Sequence, residues 1–485
     1  MRPLVAEFSS FVSPESLVSA LEGERGVVLL RSALFESSRA RYSFVAARPF
    51  LTFRSFGSRC ELVSETAGPI QFGNPWQILN SLMARYEMLE EIDLPFPLGG
   101  CFGCWGYDLK NFVEPRLSRR AVNDLELPDC HVGFYGSLVV FDHRLSKIWI
   151  VSTGLQADGS RDADDAQRRL EFWESLLEKS ADSAPSIVSA NCGSVTSTFS
   201  QKQFQDAVKT AQRYIRSGDI YQVNLSQRFA AACPLSGWDF FQRLTAVSPA
   251  PYSAFVDCGD FQVVSSSPEL FLRISGNHVQ TRPIKGTRPR SSDPDRDAQL
   301  TYELQTSAKE MAELVMITDL LRNDLGRVCE YGSVKVPDLV RLERYPQVQH
   351  LVSTVEGQLR TGVSHFDAFA SCFPGGSITG APKIRAMEII DELEPVTRGP
   401  YTGSIGYLGF NRESQVNIAI RTAILKDSAV YFHAGAGIVA DSDPQAEYDE
   451  TLAKARGFFS ALNLTDDASL SFAADRSLSS NSISS

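Results

Sequence analysis

Short apolar runs and alternating apolar and polar positions predict many β-strands separated by amphipathic helices. Two pairs of predicted strands enclose the short polar turns Gly259-Asp260 and Gly276-Asn277, which are typical of β-hairpins. Consecutive hairpins predict an antiparallel sheet. The predicted strands are residues 27–30, 42–46, 137–141, 148–151, 252–257, 262–266, 270–274, 278–284, 401–408, 416–425 and 429–439.

Helical periodicity is clearest in the second half of the chain. Residues 203–217 predict an amphipathic helix that ends at Gly218, and residues 297–324 predict one long helix. Its apolar face is formed by Met311, Leu314, Val315, Thr318 and Leu321. Residues 383–393 predict a further helix, and Asp443-Pro444 predicts the N-cap and first residue of a helix reaching about residue 462. Strands interleaved with long helices indicate an α+β fold with sheets packed beneath helices.

Changes in composition divide the chain into four regions. Residues 1–155 contain short strands and helices, and residues 156–199 contain a charged helical segment followed by a Ser- and Ala-rich linker at 180–198. Residues 200–462 carry the strongest patterns. Residues 463–485 are rich in Ser and Asp and poor in apolar residues, so we expect a disordered tail.

Composition restricts the class of protein. The 485 residues are 43% hydrophobic and 22% charged, which is typical of a protein with a large core. The net charge of -11 argues against a nucleic-acid partner, and any anionic ligand would need cations gathered locally. We find neither an N-terminal signal peptide nor a run of about 18 apolar residues that could span a membrane. We therefore expect a cytoplasmic protein, in which Cys101 and Cys104 are reduced thiols.

Two pairs of glutamates have a spacing that suits metal binding. Glu310 and Glu313 lie three residues apart on one predicted helix, and Glu447 and Glu450 lie three apart on another. This spacing places both carboxylates of a pair on one helix face. Two such faces opposite each other would offer oxygen ligands suited to Mg²⁺, whereas either pair alone is compatible with an ordinary solvated face.

A lysine and a glutamate are candidates for covalent and acid catalysis. Lys285 lies where a predicted strand ends before Gly286, and in a closed pocket its amine could lose a proton and become a nucleophile. The alternative is a lysine on the surface. Glu269 follows three serines and a proline, and burial in this loop would favour a general acid, while a turn-capping role is the alternative.

Two Gly-rich segments resemble nucleotide-binding loops but fail their requirements. Residues 373–383 have P-loop spacing, yet Ala381 stands where that motif needs Lys. The segment with Gly435 and Gly437 resembles a dinucleotide-binding motif, but residues 441–444 separate it from the following helix, which that motif does not allow. We therefore expect these two glycines to let a ligand approach the backbone. His350 is either a core histidine or a site residue, and a buried Arg421 would need a carboxylate from the protein or a ligand.

Taken together, these segments resemble the chorismate-utilising enzymes, which include anthranilate, aminodeoxychorismate, isochorismate and salicylate synthases. The resemblance covers roughly residues 200–460, and a weaker match lies at 39–49. The matching motifs are GDIYQVNLSQRF from Gly218, PIKGTRPR from Pro283, DLLRNDLGRV from Asp319, FPGGSITGAPKIRAMEII from Phe373 and AGAGIVADSDP from Ala434. The resemblance implies antiparallel sheets packed as a sandwich with helices outside.

The family resemblance also implies roles for individual residues. Glu313 and Glu450 would bind Mg²⁺ directly, with Glu310 and Glu447 behind them, and the metal would hold the ring carboxylate of chorismate. His350 matches an active-site histidine of the family. The implied substrate contacts are Ser377, Tyr401, Arg421, Lys454 and the backbone at Gly435 and Gly437.

One position bears on the reaction. Anthranilate synthases typically read PIAGT, whereas this chain has Lys285 in that motif, as aminodeoxychorismate synthases do. The resemblance implies that Lys285 attacks C2 of chorismate while Glu269 protonates the departing C4 hydroxyl. Ammonia then adds at C4 to give 4-amino-4-deoxychorismate, a precursor of p-aminobenzoate and folate. Anthranilate synthase, isochorismate or salicylate synthase, and a non-catalytic chorismate-binding subunit remain alternatives.

The resemblance further implies a partner and a second ligand site. No cysteine here has the setting of an amidotransferase nucleophile, so ammonia would come from a separate glutaminase subunit. Some relatives bind tryptophan in the N-terminal half, where their LLES motif is replaced here by Leu-Leu-Arg31-Ser32. The changed motif argues against feedback inhibition, while the resemblance implies a structural tryptophan near Ser32, Pro249 and Tyr252.

Overall fold

A computed structural model describes residues 2–9, 12–32, 41–64, 67–89, 94–180, 192–345, 348–464 and 471–472. Most of the tail predicted at 463–485 lies outside the described residues. So do residues 181–191 of the predicted linker and the first two residues of the motif at 39–49.

Eleven α-helices occur in the described residues. In chain order they are α1 (Pro14–Ala20), α2 (Pro75–Tyr86), α3 (Lys110–Val113), α4 (Ala163–Ser180), α5 (Gln201–Arg216), α6 (Gly237–Val247), α7 (Pro294–Thr306), α8 (Ala308–Gly326), α9 (His365–Cys372), α10 (Lys383–Leu393) and α11 (Pro444–Ala461). The predicted start of α11 is confirmed, because the Asp443 side chain accepts a hydrogen bond from the Ala446 amide and Pro444 is the first helical residue.

Twenty-five strands occur in the same residues. They are β1 (Leu4–Phe8), β2 (Val28–Arg31), β3 (Tyr42–Ala46), β4 (Leu51–Phe56), β5 (Arg59–Val63), β6 (Ala67–Phe72), β7 (Gly100–Trp105), β8 (Cys130–Tyr135), β9 (Ser137–Asp142), β10 (Lys147–Ser152), β11 (Thr196–Ser197), β12 (Gln222–Ala232), β13 (Tyr252–Asp257), β14 (Gln262–Ser267), β15 (Leu270–Ser275), β16 (His278–Arg282), β17 (Ile284–Pro289), β18 (Lys335–Arg344), β19 (Val348–Gln358), β20 (Gly380–Ala381), β21 (Ser404–Gly409), β22 (Glu413–Asn417), β23 (Thr422–Lys426), β24 (Ala429–Ile438) and β25 (Ser471–Phe472). Both predicted hairpins form, as β13–β14 and β15–β16.

The strands form two large sheets. The first has the order β1-β10-β9-β3-β2-β13-β14-β23-β24-β12-β11-β25, with β20 also on β12, and the second has the order β17-β19-β16-β15-β22-β21-β7-β8-β4-β5-β6, with β18 also on β19. Apart from the short parallel pair β11–β25, the ladders are antiparallel. Strands from 1–155 and from 200–462 therefore lie side by side in both sheets.

The two sheets share a core, and helices cover the outer faces. On β3 of the first sheet, Phe44 points into the core between the sheets and meets Tyr407 of the second sheet at a centroid distance of 5.0 Å. The neighbouring Val45 points the other way, into a cluster with helices α1, α4, α6 and α11. Phe458 of α11 stacks on Phe432 of β24 at 4.3 Å. The predicted α+β sandwich with outer helices is confirmed.

The prediction of a single helix over residues 297–324 is wrong. The chain breaks at Ser307, whose backbone is extended and whose side chain accepts a hydrogen bond from the Glu310 amide, so that α8 begins anew. Leu314 and Thr318 lie on the buried face as predicted, but Val315 is 45% exposed. The N-cap at Ser307 places Glu310 and Glu313 in the first two turns of α8.

Two predicted strands also need correction. Residues 416–425 are not one strand, because β22 belongs to the second sheet and β23 to the first, and the chain crosses between them at 418–421. Arg421 lies in this crossing with φ +49°. Residues 278–284, by contrast, remain one extended run as predicted, because β16 and β17 pair with the same side of β19 in one register and are separated only at Pro283, which has no amide hydrogen to donate. Tyr401 precedes its strand, which begins at Ser404.

The cysteines predicted to be reduced thiols are mostly buried. All nine cysteines, each within the described residues, are free, and Cys101 and Cys104 are buried in β7. Burial raises the pKa of Cys104 to about 12, which disfavours a reactive thiolate. Among the helices of the described ranges, none is long and apolar enough to cross a membrane.

Candidate active site

The two glutamate pairs predicted from their spacing lie on helices whose first turns face each other. Lys309, in the first turn of α8, has its Nζ 3.9 Å from Oε1 of Glu447 in the first turn of α11. The negative charge of Glu450 also acts on Glu313. The structure therefore brings the two predicted pairs into one cluster.

Each carboxylate of this cluster has a cationic partner from the protein. The four ion pairs are Glu310–Arg288 at 3.5 Å, Glu313–Lys285 at 3.7 Å, Glu447–Lys309 at 3.9 Å and Glu450–Lys454 at 2.7 Å. The local cations that an anionic substrate would need in this acidic protein are thus present in the same cluster.

Burial and charge act differently on the carboxylates. Burial raises the pKa of Glu313, and it also raises the pKa of Glu447. Burial acts in the same direction on Glu450, but Lys454, with Lys285 and Lys309, outweighs it and lowers the pKa of that carboxylate. Positive charge is thus concentrated on the Glu450 side of the cluster.

The donor set suits Mg²⁺ in type, but its present spacing does not form a metal site. Among the described residues, no three His, Cys, Asp or Glu side chains stand close enough together to hold a metal ion. Oε2 of Glu447 is buried and accepts no hydrogen bond, which leaves one oxygen of the cluster open for a further ligand. Each of these carboxylates is paired with a lysine or an arginine instead, and Mg²⁺ binding remains a prediction.

Lys285 is directed into the site by a bulge. The pairing of β17 with β19 shifts register between Lys285 and Thr287, and the intervening Gly286 has φ +65°. A Cβ at Gly286 would lie 2.6 Å from the Leu304 side chain, so only glycine fits. The Lys285 side chain is 18% exposed, and its Nζ forms an ion pair with Glu313 at 3.7 Å. Nucleophilic attack would require this contact to open.

Glu269 lies in the predicted loop between β14 and β15 and is 5% exposed. Burial raises its pKa to about 7, although hydrogen bonds from the Ser377 hydroxyl and the Ile284 amide, and the charge of Lys285, favour its ionised form. A carboxyl group with this pKa is partly protonated near neutral pH and can donate a proton. The structure thus brings Glu269, Ser377 and Lys285 together.

His350 and Arg421 lie close together at the same end of the site. His350 Nδ1 is 2.8 Å from the Thr287 hydroxyl, and burial lowers the pKa of His350 to about 4, helped by the charge of Arg421. The imidazole is therefore neutral at physiological pH. Within the described residues, the Arg421 guanidinium forms no ion pair or hydrogen bond, and burial lowers its pKa. This is consistent with a ligand carboxylate as its partner.

The predicted glycines of β24, Gly435 and Gly437, have no side chains and so leave space for a ligand. We call this part of the site its floor. A Cβ at Gly435 would lie 2.9 Å from the Tyr401 hydroxyl, and a Cβ at Gly437 would lie 4.0 Å from Nζ of Lys285. Lys454 donates a hydrogen bond of 2.8 Å to the Gly435 carbonyl. These four residues therefore surround one space next to Lys285.

Two further residues at this floor were missed by the sequence analysis. Gln222 and Asn224 lie two apart on β12, so their side chains share one sheet face. Nε2 of Gln222 would lie 2.5 Å from a Cβ on Gly437, and Oδ1 of Asn224 would lie 2.7 Å from one on Gly435. The signal was available, because both residues belong to the quoted motif GDIYQVNLSQRF, whose alternation predicts a strand.

The residues predicted to bind a tryptophan ligand lie away from the glutamate cluster. Ser32 and Tyr252 line a separate cavity of about 160 Å³ between the two sheets. Pro251 lines this cavity, whereas the predicted Pro249 does not. Arg31, at the position that carries Glu in the family motif, also lines it and forms an ion pair with Glu15. Tryptophan binding remains a prediction.

Comparison with known proteins identifies the family. The profile of the family described as "chorismate binding enzyme" matches residues 31–460. The chain belongs to this family. The match spans both sheets and both glutamate-bearing helices, so it covers every element that builds the site.

Named relatives carry two different activities. Anthranilate synthase component 1 of Acetivibrio thermocellus is 39% identical over 94% of this chain and 94% of the relative. Aminodeoxychorismate synthase component 1 of Klebsiella aerogenes is 40% identical over 91% of this chain and 94% of the relative. The two relatives have nearly equal sequence identity to this chain, so identity does not decide between the two activities.

Solved structures agree with the fold. Anthranilate synthase component I from Streptococcus pneumoniae superimposes with a TM-score of 0.76 at 31% identity, covering 93% of this chain and 99% of that one. The isochorismate synthase MenF from Escherichia coli gives a TM-score of 0.70 at 19% identity, covering 95% and 94%. The second likeness concerns the fold alone.

Proposed function

We propose that this protein is the chorismate-aminating component of an aminodeoxychorismate synthase, which makes 4-amino-4-deoxychorismate from chorismate and ammonia. The observation that carries the proposal is the position of Lys285. Its amine lies at the glycine floor of the site, and its charge acts on the buried Glu269. An amine nucleophile and a carboxylic acid with a pKa of about 7 in one pocket suit displacement of a hydroxyl group.

The proposed reaction has two displacements. The neutral amine of Lys285 forms a bond to C2 of chorismate, both ring double bonds shift by one position, and the C4–O bond breaks as Glu269 transfers its proton to the departing hydroxyl, giving water. Ammonia then forms a bond to C4, and the C2–N bond to Lys285 breaks. The ammonia-derived nitrogen loses one proton, which Glu269 can accept. The net change exchanges a hydroxyl group for an amino group.

The remaining residues would bind and orient the substrate. Arg421, which pairs with no carboxylate of the described residues, is suited to a carboxylate of chorismate, and the neutral His350 beside it can exchange hydrogen bonds with the ring substituents. Tyr401 and Lys454 border the space above Gly435. When bound to the glutamate cluster, Mg²⁺ would neutralise a second carboxylate of the substrate.

Ammonia would come from a separate glutaminase subunit. The relatives are named as component 1 of their synthases, which suits a protein that works with a second component. Eight of the nine cysteines here are buried, so they are poorly placed to attack glutamine. We therefore retain the two-component arrangement as part of the proposal.

Product identification tests the proposal most directly. The purified protein is incubated with chorismate, Mg²⁺ and an ammonium salt, and products are identified by mass spectrometry. We expect 4-amino-4-deoxychorismate. Fluorescent anthranilate formed without any added lyase would instead favour anthranilate synthase, which the relative from A. thermocellus makes the second candidate. A hydroxylated product without nitrogen, or binding of chorismate without turnover, would also overturn the proposal.

A further inference from the structure

One cation of the glutamate cluster has no role in the proposed reaction. Lys285 and Lys454 belong to the proposed catalytic and substrate-binding residues, and Arg288 lies on β17 beside α8. Lys309 is the fourth cation, and neither the motif comparison nor the proposed chemistry gives it a function. It is nevertheless the residue that links α8 to α11 across the cluster.

Lys309 is placed so that it can leave the cluster easily. Its side chain is 58% exposed, although its Nζ lies 3.9 Å from the nearly buried Glu447. It also lines a cavity of about 430 Å³ together with Glu313, Tyr221 and Asp441. Movement of the amine into this cavity would break one long ion pair and would disturb no packed core.

The surroundings of Glu447 favour a ligand that interacts with this carboxylate more strongly than Lys309 does. Its Oε1 accepts a hydrogen bond of 2.6 Å from the Ser442 hydroxyl, which fixes the orientation of the carboxylate. Its Oε2 is buried and accepts no hydrogen bond from any residue in the described part of the chain. An unsatisfied buried carboxylate oxygen is unfavourable, so a ligand that contacts Oε2 would be stabilised there.

We propose that Lys309 is a displaceable counter-ion, which neutralises the glutamate cluster in the metal-free protein and must withdraw when a divalent cation binds. This inference rests on the Mg²⁺ site of the proposed function. It explains why the carboxylates are held near one another without converging, because a monovalent ammonium reduces the repulsion among them until a metal arrives. Lys309 thus lowers the affinity for the metal while keeping the carboxylates close to one another.

Direct measurement of Mg²⁺ binding to the full chain tests the proposal. Calorimetric titration compares the wild type with Lys309→Met, Lys309→Arg and Lys209→Met. Lys309→Met should lower the Kd for Mg²⁺ about two- to fivefold, as expected for loss of a competing, partly exposed ion pair. Lys309→Arg should stay near the wild type. Lys209 is similarly exposed on α5 and forms a similar ion pair, so Lys209→Met controls for the change in net charge and should have no effect.

Chemical labelling of the wild type provides a second readout that needs no variant. An amine-reactive acylating reagent is applied with and without Mg²⁺, and modified lysines are quantified by mass spectrometry. Mg²⁺ should increase modification of Lys309 and leave Lys209 unchanged. If Mg²⁺ binds but neither the Kd of Lys309→Met nor the labelling changes, or if Lys209→Met has the same effect, the counter-ion proposal is wrong while the metal site stands. If the wild type binds no Mg²⁺, both fail.

Discussion

The Ser377 hydroxyl donates a hydrogen bond to the carboxyl group of Glu269, inside the buried space that Lys285 also faces. The two residues come from distant segments, a short 3₁₀ turn at Gly376–Ile378 and the loop between β14 and β15. Because the bond stabilises the ionised carboxylate, it opposes the effect of burial and keeps the pKa of Glu269 near 7. Ser377 therefore adjusts the proton affinity of the proposed general acid.

We predict that Ser377→Ala moves the alkaline limb of the pH–rate profile to higher pH. Loss of the donor destabilises the charged carboxylate, so the pKa of Glu269 rises and the acid keeps its proton to higher pH. The profile of kcat/KM for chorismate between pH 6 and 9 measures this shift. A lower rate with an unmoved limb would mean that Ser377 only positions the substrate. Ser377→Thr keeps the hydroxyl and serves as the control.

Lys285→Ala should abolish most of the activity, because the proposed covalent route disappears. We expect kcat for aminodeoxychorismate formation to fall at least about 100-fold, which corresponds to about 2.7 kcal/mol of transition-state stabilisation. Steady-state assays with a saturating ammonium salt measure the loss. Lys209→Ala, at an exposed position of helix α5, is the matched control. Unchanged turnover in the Lys285 variant would contradict its role as nucleophile.

Much of the site could be predicted because its signals are local. The glutamate spacing, the Asp443-Pro444 cap and the Lys285-Gly286 pair each depend on a few neighbouring residues. The break at Ser307 was equally local, since Ser307 and Glu310 have the spacing of a capping box, but the apolar periodicity on both sides favoured one long helix.

Long-range pairing explains what the sequence could not provide. The sequence of residues 416–425 predicts one apolar strand. In the structure these residues belong to two sheets, because Asn417 pairs with β15 and Thr422 pairs with β14. Similarly, the sequence around Lys309 does not distinguish it from an ordinary lysine on a helix. Its contact with Glu447 forms only when α8 and α11 pack together. Such contacts between distant segments carry no periodic signal.

Glu450→Gln should weaken the response to Mg²⁺ more than it weakens chorismate binding. The substitution removes a proposed metal ligand and leaves Lys454 without its partner at 2.7 Å. We expect the Mg²⁺ concentration for half-maximal activity to rise about tenfold, or about 1.4 kcal/mol. The neighbouring Asp449→Asn changes charge equally on an exposed position of the same helix and should have little effect. A normal metal titration for Glu450→Gln would remove this residue from the predicted ligands.

Gly437→Ala should impair substrate binding without unfolding the protein. The new methyl group would meet Nε2 of Gln222 at 2.5 Å, so the end of that flexible side chain must move, and it would stand 4.0 Å from Nζ of Lys285. Both effects reduce the space next to the nucleophile, and we therefore expect KM for chorismate to rise about tenfold, with a smaller change in the free energy of unfolding. Gly326→Ala is the control, because a methyl group there meets nothing within 4 Å. Kinetics and urea denaturation of both variants separate the two effects, and an unchanged KM for Gly437→Ala would place the substrate away from β24.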